Sequence, residues 1–117
     1  MELQQSTTDK NASYISKFVV VEGKVHVTKP GDVKTTHHQL AENDNILARV
    51  KELRQIRSPE VDGGLINFRG ELRVISLFST SESLDIPSNP GARARSAGVI
   101  QQIFPEYKII SIPVNLR

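Results

Sequence analysis

The last third of the chain is the part that most constrains its fold. It reads LRVISLFSTSES over Leu72–Ser83 and ARSAGVIQQIFPEYKIISIPV over Ala94–Val114. An apolar strand pattern leads into a loop rich in serine and threonine. A helical pattern then stops at Pro105, and another strand pattern follows. Small domains often place binding groups in such loops, because a rigid strand aims the loop's side chains and N–H groups. The stretch predicts a strand, a functional loop, a helix and a final strand over Tyr107–Ile112.

Upstream, the pattern predicts strands followed by a helix. Lys17–Thr28 is rich in β-branched residues, with a turn or a bulge at Glu22–Lys24. An apolar stripe at helical spacing indicates the helix and consists of Leu40, Leu47, Val50 and Leu53. Two starts fit this helix: a capping box over Thr36–Gln39, or a later start near residue 43 that leaves the two histidines of the box in a loop.

The remaining elements complete an α+β pattern. Gly63–Gly64 reads as a turn that opens a hairpin, whose arms are Leu65–Phe68 and Glu71–Ser79 and whose own turn is Arg69–Gly70. The second helix has a cap within Ser88–Asn89, followed by Pro90 at its first position. This order predicts an α+β fold, in which one compact domain has a mixed β-sheet and two packed helices.

Length and composition limit the class of protein. Residues 1–13 are polar and unpatterned and predict a frayed tail, whereas residues 14–117 predict a single domain. The absence of cysteine excludes disulfides, a cysteine nucleophile and cysteine-based zinc sites. No apolar run approaches membrane-spanning length, so we expect a soluble cytoplasmic protein without a membrane partner.

The charge balance bears on the partners. The net charge of +2 is too small to indicate nucleic acid by itself. Only six aromatic residues, four Phe and two Tyr, offer stacking surfaces for bases, so nucleic acid ranks last among the expected partners. The oligomeric state is left open by the sequence.

Adjacent histidines are the first candidates for chemistry. An imidazole suits proton transfer or phosphoryl transfer near neutral pH, and His37 and His38 precede a predicted helix. Two histidines in a threonine-rich loop are equally consistent with a solvated surface. Metal binding is not indicated, because His26 is the only other histidine and no carboxylate lies at a recognisable ligand spacing.

Hydroxyl groups and isolated cations form the second set of candidates. The loop over Ser79–Ser83 could hold a phosphate through hydroxyl and N–H groups, although serine and threonine also favour plain turns. The loop lacks the glycine and lysine pattern of a nucleotide-binding P-loop. Lys17, Arg93 and Arg95 could meet a phosphate, and each is also typical of a solvated surface charge.

Several of these segments resemble the Janus/Ocnus family of protein histidine phosphatases. Ser96–Ile109 (SAGVIQQIFPEYKI) is similar to the family's helix that ends in aromatic-Pro-acid-Tyr, and Asp62–Ile66 is similar to its Gly-Gly-Arg-Ile segment. Leu72–Ser79 resembles the strand that ends in aromatic-Ser, and Ser16–Val21 resembles the first strand. His37–His38 resembles the Tyr-His at the head of the family's first helix.

The resemblance implies a fold and an activity. Family members are small single-domain αβ proteins that remove phosphate from phosphohistidine in proteins without metal or cofactor. By resemblance, His38 is the catalytic histidine and Lys17 contacts the phosphate. Ser79 and the N–H groups of Thr80 and Ser81 form the phosphate cradle.

One departure from the family leaves two functions open. The family's phosphate-side arginine falls at Leu65, and Arg69, Arg93 or Arg95 would have to substitute for it. The first expected function is a metal-independent phosphatase that acts on protein phosphohistidine or a related phosphoramidate, with a histidine as nucleophile or general base. The alternative is a non-catalytic binding module of the same fold that recognises a phosphorylated or acidic partner.

Overall fold

A mixed sheet organises the structure. The computed structural model describes residues 1–5 and 11–112, and in this part it contains five strands and three helices. The strands are β1 (Ser13–Val21), β2 (Lys24–Val27), β3 (Val61–Arg69), β4 (Val74–Phe78) and β5 (Lys108–Ser111). The helices are α1 (His37–Asn43), α2 (Leu47–Gln55) and α3 (Pro90–Ile103). The strand order is β2-β1-β3-β4-β5, and all neighbours are antiparallel except the parallel pair β4–β5. The predicted α+β class is confirmed.

The β1–β2 hairpin binds residues 1–3, which the sequence predicted to be part of a frayed tail. Glu22 and Gly23 form its turn, with φ angles of 50° and 83°, as expected for a tight turn between two twisted strands. The Leu3 N–H donates to the Val25 carbonyl over 2.7 Å, and the Leu3 side chain is 3% exposed. The expected frayed tail is therefore not seen at residues 1–3, because leucine burial holds them. Residues 6–10 of that tail lie outside the described part.

The first predicted helix is divided into two. The capping box is confirmed: Thr36 Oγ1 accepts from the Gln39 N–H, and the Gln39 side chain accepts from the Thr36 N–H. Asn45, with a φ of 62°, interrupts the helix before α2 begins at Leu47. The described part of the protein thus has three helices where the sequence predicted two. None of the helices in the described part is long and apolar enough to cross a membrane.

The later elements confirm one prediction and correct another. Asn89 caps α3 and Pro90 occupies its first position, as the sequence predicts. The prediction of a turn at Gly63–Gly64 is wrong, because both residues lie inside β3 and pair with β1. A Cβ atom at Gly64 would lie 2.6 Å from the Phe78 carbonyl oxygen. These glycines therefore permit a close approach of backbones within the sheet rather than a chain reversal.

Each face of the sheet carries its own apolar cluster. The α3 face is packed mainly against α3, and its large buried side chains are Phe18, Ile66, Phe68, Ile75, Leu77, Ile100 and Phe104. The α1/α2 face is packed against α1, α2 and the loop after β4. Its buried side chains are Val19, Val21, Leu40, Ala41, Val50, Leu53, Val61, Leu84 and Ile86. Alternation along β1 explains the division, since neighbouring strand residues point to opposite faces.

Candidate functional site

A groove opens beyond the end of β4, beside the N-terminal end of α1. Its volume is about 520 Å³. It is lined by Lys17, Thr36, His37, Leu65, Ser79, Thr80, Glu82 and Ser83. The groove therefore brings together the start of α1, two neighbouring strands and the hydroxyl-rich loop, which are far apart in the sequence.

His37 is the histidine that lines this groove. It is 5% exposed, and its Nε2 lies 2.8 Å from the Gly64 carbonyl oxygen. A carbonyl only accepts, so the imidazole donates from Nε2 and its Nδ1 carries the lone pair. Burial lowers the pKa of His37 below its ordinary value; the bond to Gly64 opposes this, and the Lys17 ammonium lowers the pKa further. The ring is therefore held neutral and in one tautomer.

His38, which the resemblance selects as the catalytic residue, lies on another side of α1. Its side chain is 40% exposed, and its Nδ1 lies 2.8 Å from Oε1 of Glu42. Its backbone N–H donates to the Ser83 hydroxyl over 3.0 Å. The capping box fixes this outcome, because it starts α1 at His37 and adjacent helical side chains diverge by about 100°. The catalytic role of His38 stays a prediction, but the geometry places His37 with Lys17 and Ser79.

Lys17 and Thr80 supply donors that the described part of the protein does not use. Lys17 pairs with Leu65 across β1 and β3, and its ammonium makes no ion pair with any described residue. It also lies close enough to Asp32 to contribute to the lowered pKa of that carboxyl, which hydrogen bonds from Thr35 lower first. Neither the N–H nor the hydroxyl of Thr80 donates to another described residue. The Lys17 ammonium and the two donors of Thr80 are therefore available to bind an anion.

The loop after β4 is held in one conformation by internal hydrogen bonds and buried side chains. Ser79 begins it with a φ of 63°, a left-handed conformation that turns the chain away from the sheet. Ser81 is 1% exposed, its carbonyl accepts from the Ile86 N–H and its hydroxyl accepts from the Leu84 N–H. Ser81 was expected in the phosphate cradle, but it lies behind the groove wall and fixes the loop. Leu84 and Ile86 anchor the loop in the core of the α1/α2 face.

The three arginines proposed as substitute cations do not line the groove. Arg69 is exposed at the far end of β3, and Arg95 is exposed on α3. Arg93 is 8% exposed on the α3 face, where its Nε donates to Asp62 Oδ2 over 2.8 Å. The expectation that one of them replaces the family's arginine is therefore not met, and Leu65 presents an apolar side chain to the groove.

Arg93 nevertheless reaches the groove wall from behind. Its Nη2 donates to the carbonyl oxygens of Ser79, over 2.8 Å, and of Gly63, over 3.1 Å. Asp62 is 2% exposed and also accepts from the Ser96 hydroxyl over 2.8 Å. The network fixes the backbone at the point where β4 gives way to the loop. Sequence reasoning missed Asp62, because it is 31 positions from Arg93 and no local pattern marks the pair.

Glu82 adds a carboxylate to the groove lining. The groove thus presents one cation, one carboxylate, several hydroxyl groups and one neutral imidazole. No group of three or more His, Cys, Asp or Glu side chains that could hold a metal ion occurs within the described ranges. Comparison with protein-family models, with curated proteins and with solved structures found no match to this chain.

Proposed function

We propose that the protein is a metal-independent phosphatase that acts on protein phosphohistidine or a related phosphoramidate, with His37 as its reactive group. The observation that carries this proposal is the state of the His37 imidazole. Its Nε2–H is engaged by the Gly64 carbonyl, burial keeps the ring neutral, and Nδ1 retains its lone pair. A neutral imidazole of fixed tautomer in a groove is suited to act as a nucleophile or a general base.

The charges of the groove suit a phosphoramidate better than a plain phosphate ester. A phosphoramidate that is ready to break carries a negative phosphoryl group and a protonated nitrogen. The Lys17 ammonium and the unused Thr80 N–H match the phosphoryl oxygens. The Glu82 carboxylate matches the protonated nitrogen, which a phosphate ester lacks. A substrate with both charges therefore uses both sides of the groove.

Two routes fit this arrangement. In the first, His37 Nδ1 attacks phosphorus, the P–N bond breaks, and its electron pair goes to the leaving nitrogen. In phosphohistidine the leaving group is an imidazole already protonated on its other ring nitrogen, and in inorganic phosphoramidate it is an ammonia whose nitrogen carries the proton itself. Water then hydrolyses the phosphorylated His37 and releases phosphate. In the second, Nδ1 accepts a proton from water as the water oxygen attacks phosphorus, the P–N bond breaks, and its electron pair goes to the protonated leaving group. Either route needs a single imidazole and an electrostatic cradle, because the protonated nitrogen is a good leaving group.

One observation favours the alternative of a non-catalytic binding module. Among the described residues that line the groove, Lys17 is the single cation, and Leu65 stands where the resembling family has an arginine. A phosphoryl transition state draws on more positive charge than a bound phosphate does. A site with one lysine therefore also suits recognition of a phosphorylated partner without hydrolysis.

Paired histidine variants test the proposal. We expect His37→Gln to reduce turnover of a phosphohistidine peptide and of inorganic phosphoramidate by about 100-fold or more, because glutamine has no basic nitrogen. The matched control His38→Gln, one residue away and half exposed, retains most activity. Lys17→Ala weakens phosphate binding by about 10-fold to 100-fold, as expected for a bond to a charged group.

Three outcomes contradict parts of this proposal. Loss of turnover in His38→Gln with full activity in His37→Gln shows that the resemblance selects the correct histidine and our assignment is wrong. Full activity in both variants places the chemistry elsewhere. A wild-type protein that binds phosphohistidine peptide without hydrolysing it establishes the binding module.

A further inference from the structure

Within residues 1–5 and 11–112, no helix packs on half of the α1/α2 face. Val19 and Val21 at one end of β1 are 0% and 6% exposed under α1 and α2. Ile15, on the same face of the same strand, is 37% exposed. Ile110, on the same face of β5, is also 37% exposed. We call this uncovered part of the α1/α2 face, which runs from β1 across β3 and β4 to β5, the bare half.

The strand register defines its surface. Ile15 pairs with Asn67, Asn67 pairs with Ser76, and Ser76 pairs with Ile110, so these four side chains form one row across the sheet. The next row begins with Lys17, which also lines the groove. The bare half is therefore continuous with the candidate site.

The bare half carries aliphatic side chains, polar side chains and positive charge. The row at its outer end contains Arg69, Val74 and Lys108, which pair in register across β3, β4 and β5. Arg69 and Lys108 are exposed, and neither makes an ion pair with a described residue. No carboxylate occurs in these rows of the described strands. Glu71 and Glu82 lie in the neighbouring turn and loop.

We propose that the bare half is a docking surface for an acidic, amphipathic segment of a partner protein. Apolar side chains of that segment would cover Ile15 and Ile110, and its carboxylates would meet Arg69 and Lys108. Four strands span three spacings of about 4.8 Å, and this width matches one helix of about 10–12 Å diameter. The inference rests on the proposed function in one respect: because Lys17 belongs to both surfaces, the docked protein is the one whose phosphorylated side chain enters the groove.

Charge and chemistry favour this occupant over two others. A second copy of the chain, related by a two-fold axis, would bring the same unpaired cations together, which opposes association. A single-stranded nucleic acid draws on stacking surfaces, but the uncovered rows of the described strands contain a single aromatic residue, Phe78. An acidic amphipathic protein segment meets both the exposed isoleucines and the cations.

A labelled peptide tests the surface directly. The probe is an amphipathic peptide with a leucine stripe at helical spacing and glutamates beside it, followed by fluorescence anisotropy. We expect Arg69→Glu/Lys108→Glu to weaken its binding about 10-fold or more, because attraction becomes repulsion. The control Lys24→Glu/Lys51→Glu makes the same charge change at exposed positions elsewhere and leaves most of the binding.

The apolar contribution has its own pair of variants. Ile15→Ser/Ile110→Ser weakens binding of the same peptide, whereas Ile56→Ser, at a side chain 74% exposed outside the bare half, does not. A peptide with serines in place of leucines binds weakly to the wild type. A peptide with lysines in place of glutamates shows no binding, because its charge is repelled.

Several results would overturn the docking surface. One is an equal loss of peptide binding in the bare-half variants and their controls. Another is tighter binding of a single-stranded RNA oligomer than of the acidic peptide. A third is a dimer of the wild type that Ile110→Ser dissociates. Turnover of inorganic phosphoramidate separates the two proposals, because that substrate needs only the groove. If it proceeds while no acidic peptide binds, docking alone fails. If it is absent in a wild type that binds the peptide through the bare half, the phosphatase fails and docking stands.

Discussion

The two faces of the sheet differ in what they contain and in how they are covered. On the α3 face, aromatic rings pack in sequence: Tyr14 stacks on Phe68 at 5.0 Å, Phe68 meets Phe104 at 5.4 Å, and Phe104 meets Tyr107 at 5.3 Å. The α1/α2 face has aliphatic residues, a short helix pair and an open groove. The same strands supply both faces through alternate residues. Packing on the α3 face therefore holds the strands rigid, and the groove on the α1/α2 face of the same strands is open to a ligand.

The Asp62–Arg93 pair joins the two faces. It is buried on the α3 face, yet Arg93 binds the carbonyl of Ser79 at the groove. If the faces were independent, a change to this pair would alter stability alone. The predictions below separate these cases, beginning with the largest effect.

Arg93→Leu has the largest expected effect. It leaves Asp62 buried without its cation, which costs about 3–5 kcal/mol of the free energy of unfolding, as measured by urea denaturation. The double variant Asp62→Leu/Arg93→Leu loses less, because no charge is left unpaired. Both variants should also bind phosphate more weakly, since the Ser79 carbonyl has lost its donor. Unchanged phosphate binding in the folded double variant would show that the faces are independent.

Two glycines give the next comparison. Gly64→Ala places a Cβ 2.6 Å from the Phe78 carbonyl and 2.8 Å from the Ser79 carbonyl, so we expect a loss of about 1–3 kcal/mol in the free energy of unfolding. Gly98→Ala, on exposed α3 with no atom within 4 Å of the new Cβ, should gain about 1 kcal/mol. Thermal unfolding of both variants measures the contrast. Equal effects would contradict the close approach at Gly64.

The smallest effect concerns pH. The folded-state pKa of His37 lies below its ordinary value of 6.5, so the unfolded chain takes up the proton first as pH falls. Stability from this group is therefore complete above about pH 7.5 and declines as pH falls below the ordinary value towards the folded-state pKa. We expect His37→Gln to flatten this decline, as measured by urea denaturation across that range. A His37 imidazole that titrates by NMR at or above 6.5 would contradict the burial argument.

Local signals in the sequence predicted most of the elements. Thr36 with Gln39, and Asn89 with Pro90, mark helix starts because each satisfies backbone N–H groups within one turn. The split after α1 was not predicted: the later start expected near residue 43 falls at the end of α1, and α2 begins at Leu47. Such signals involve residues that are close together in the sequence, so they can be recognised without the structure.

The rest depended on contacts between distant residues. Gly63–Gly64 reads as a turn until the end of β4 is known to pass within contact distance of it. The choice between His37 and His38 depends on where α1 begins and on what its sides face. In the sequence, Asp62 and Arg93 each look like an ordinary surface charge. Only the packing of α3 on β3 shows that both are buried.

The parallel pairing of β4 with β5 also sets an order of events during folding. β1 to β4 pair antiparallel, whereas Val74 meets Lys108 only after the loop and α3 have been crossed. Closing that long segment has a larger entropic cost than closing a hairpin. The pairing of β1 with β3 also closes a long segment, since Val21 pairs with Val61. We expect the β1–β2 and β3–β4 hairpins to form first, so the groove, which needs Lys17 of β1 beside Leu65 of β3, is completed among the later contacts. During synthesis, those first four strands emerge from the ribosome before β5 exists.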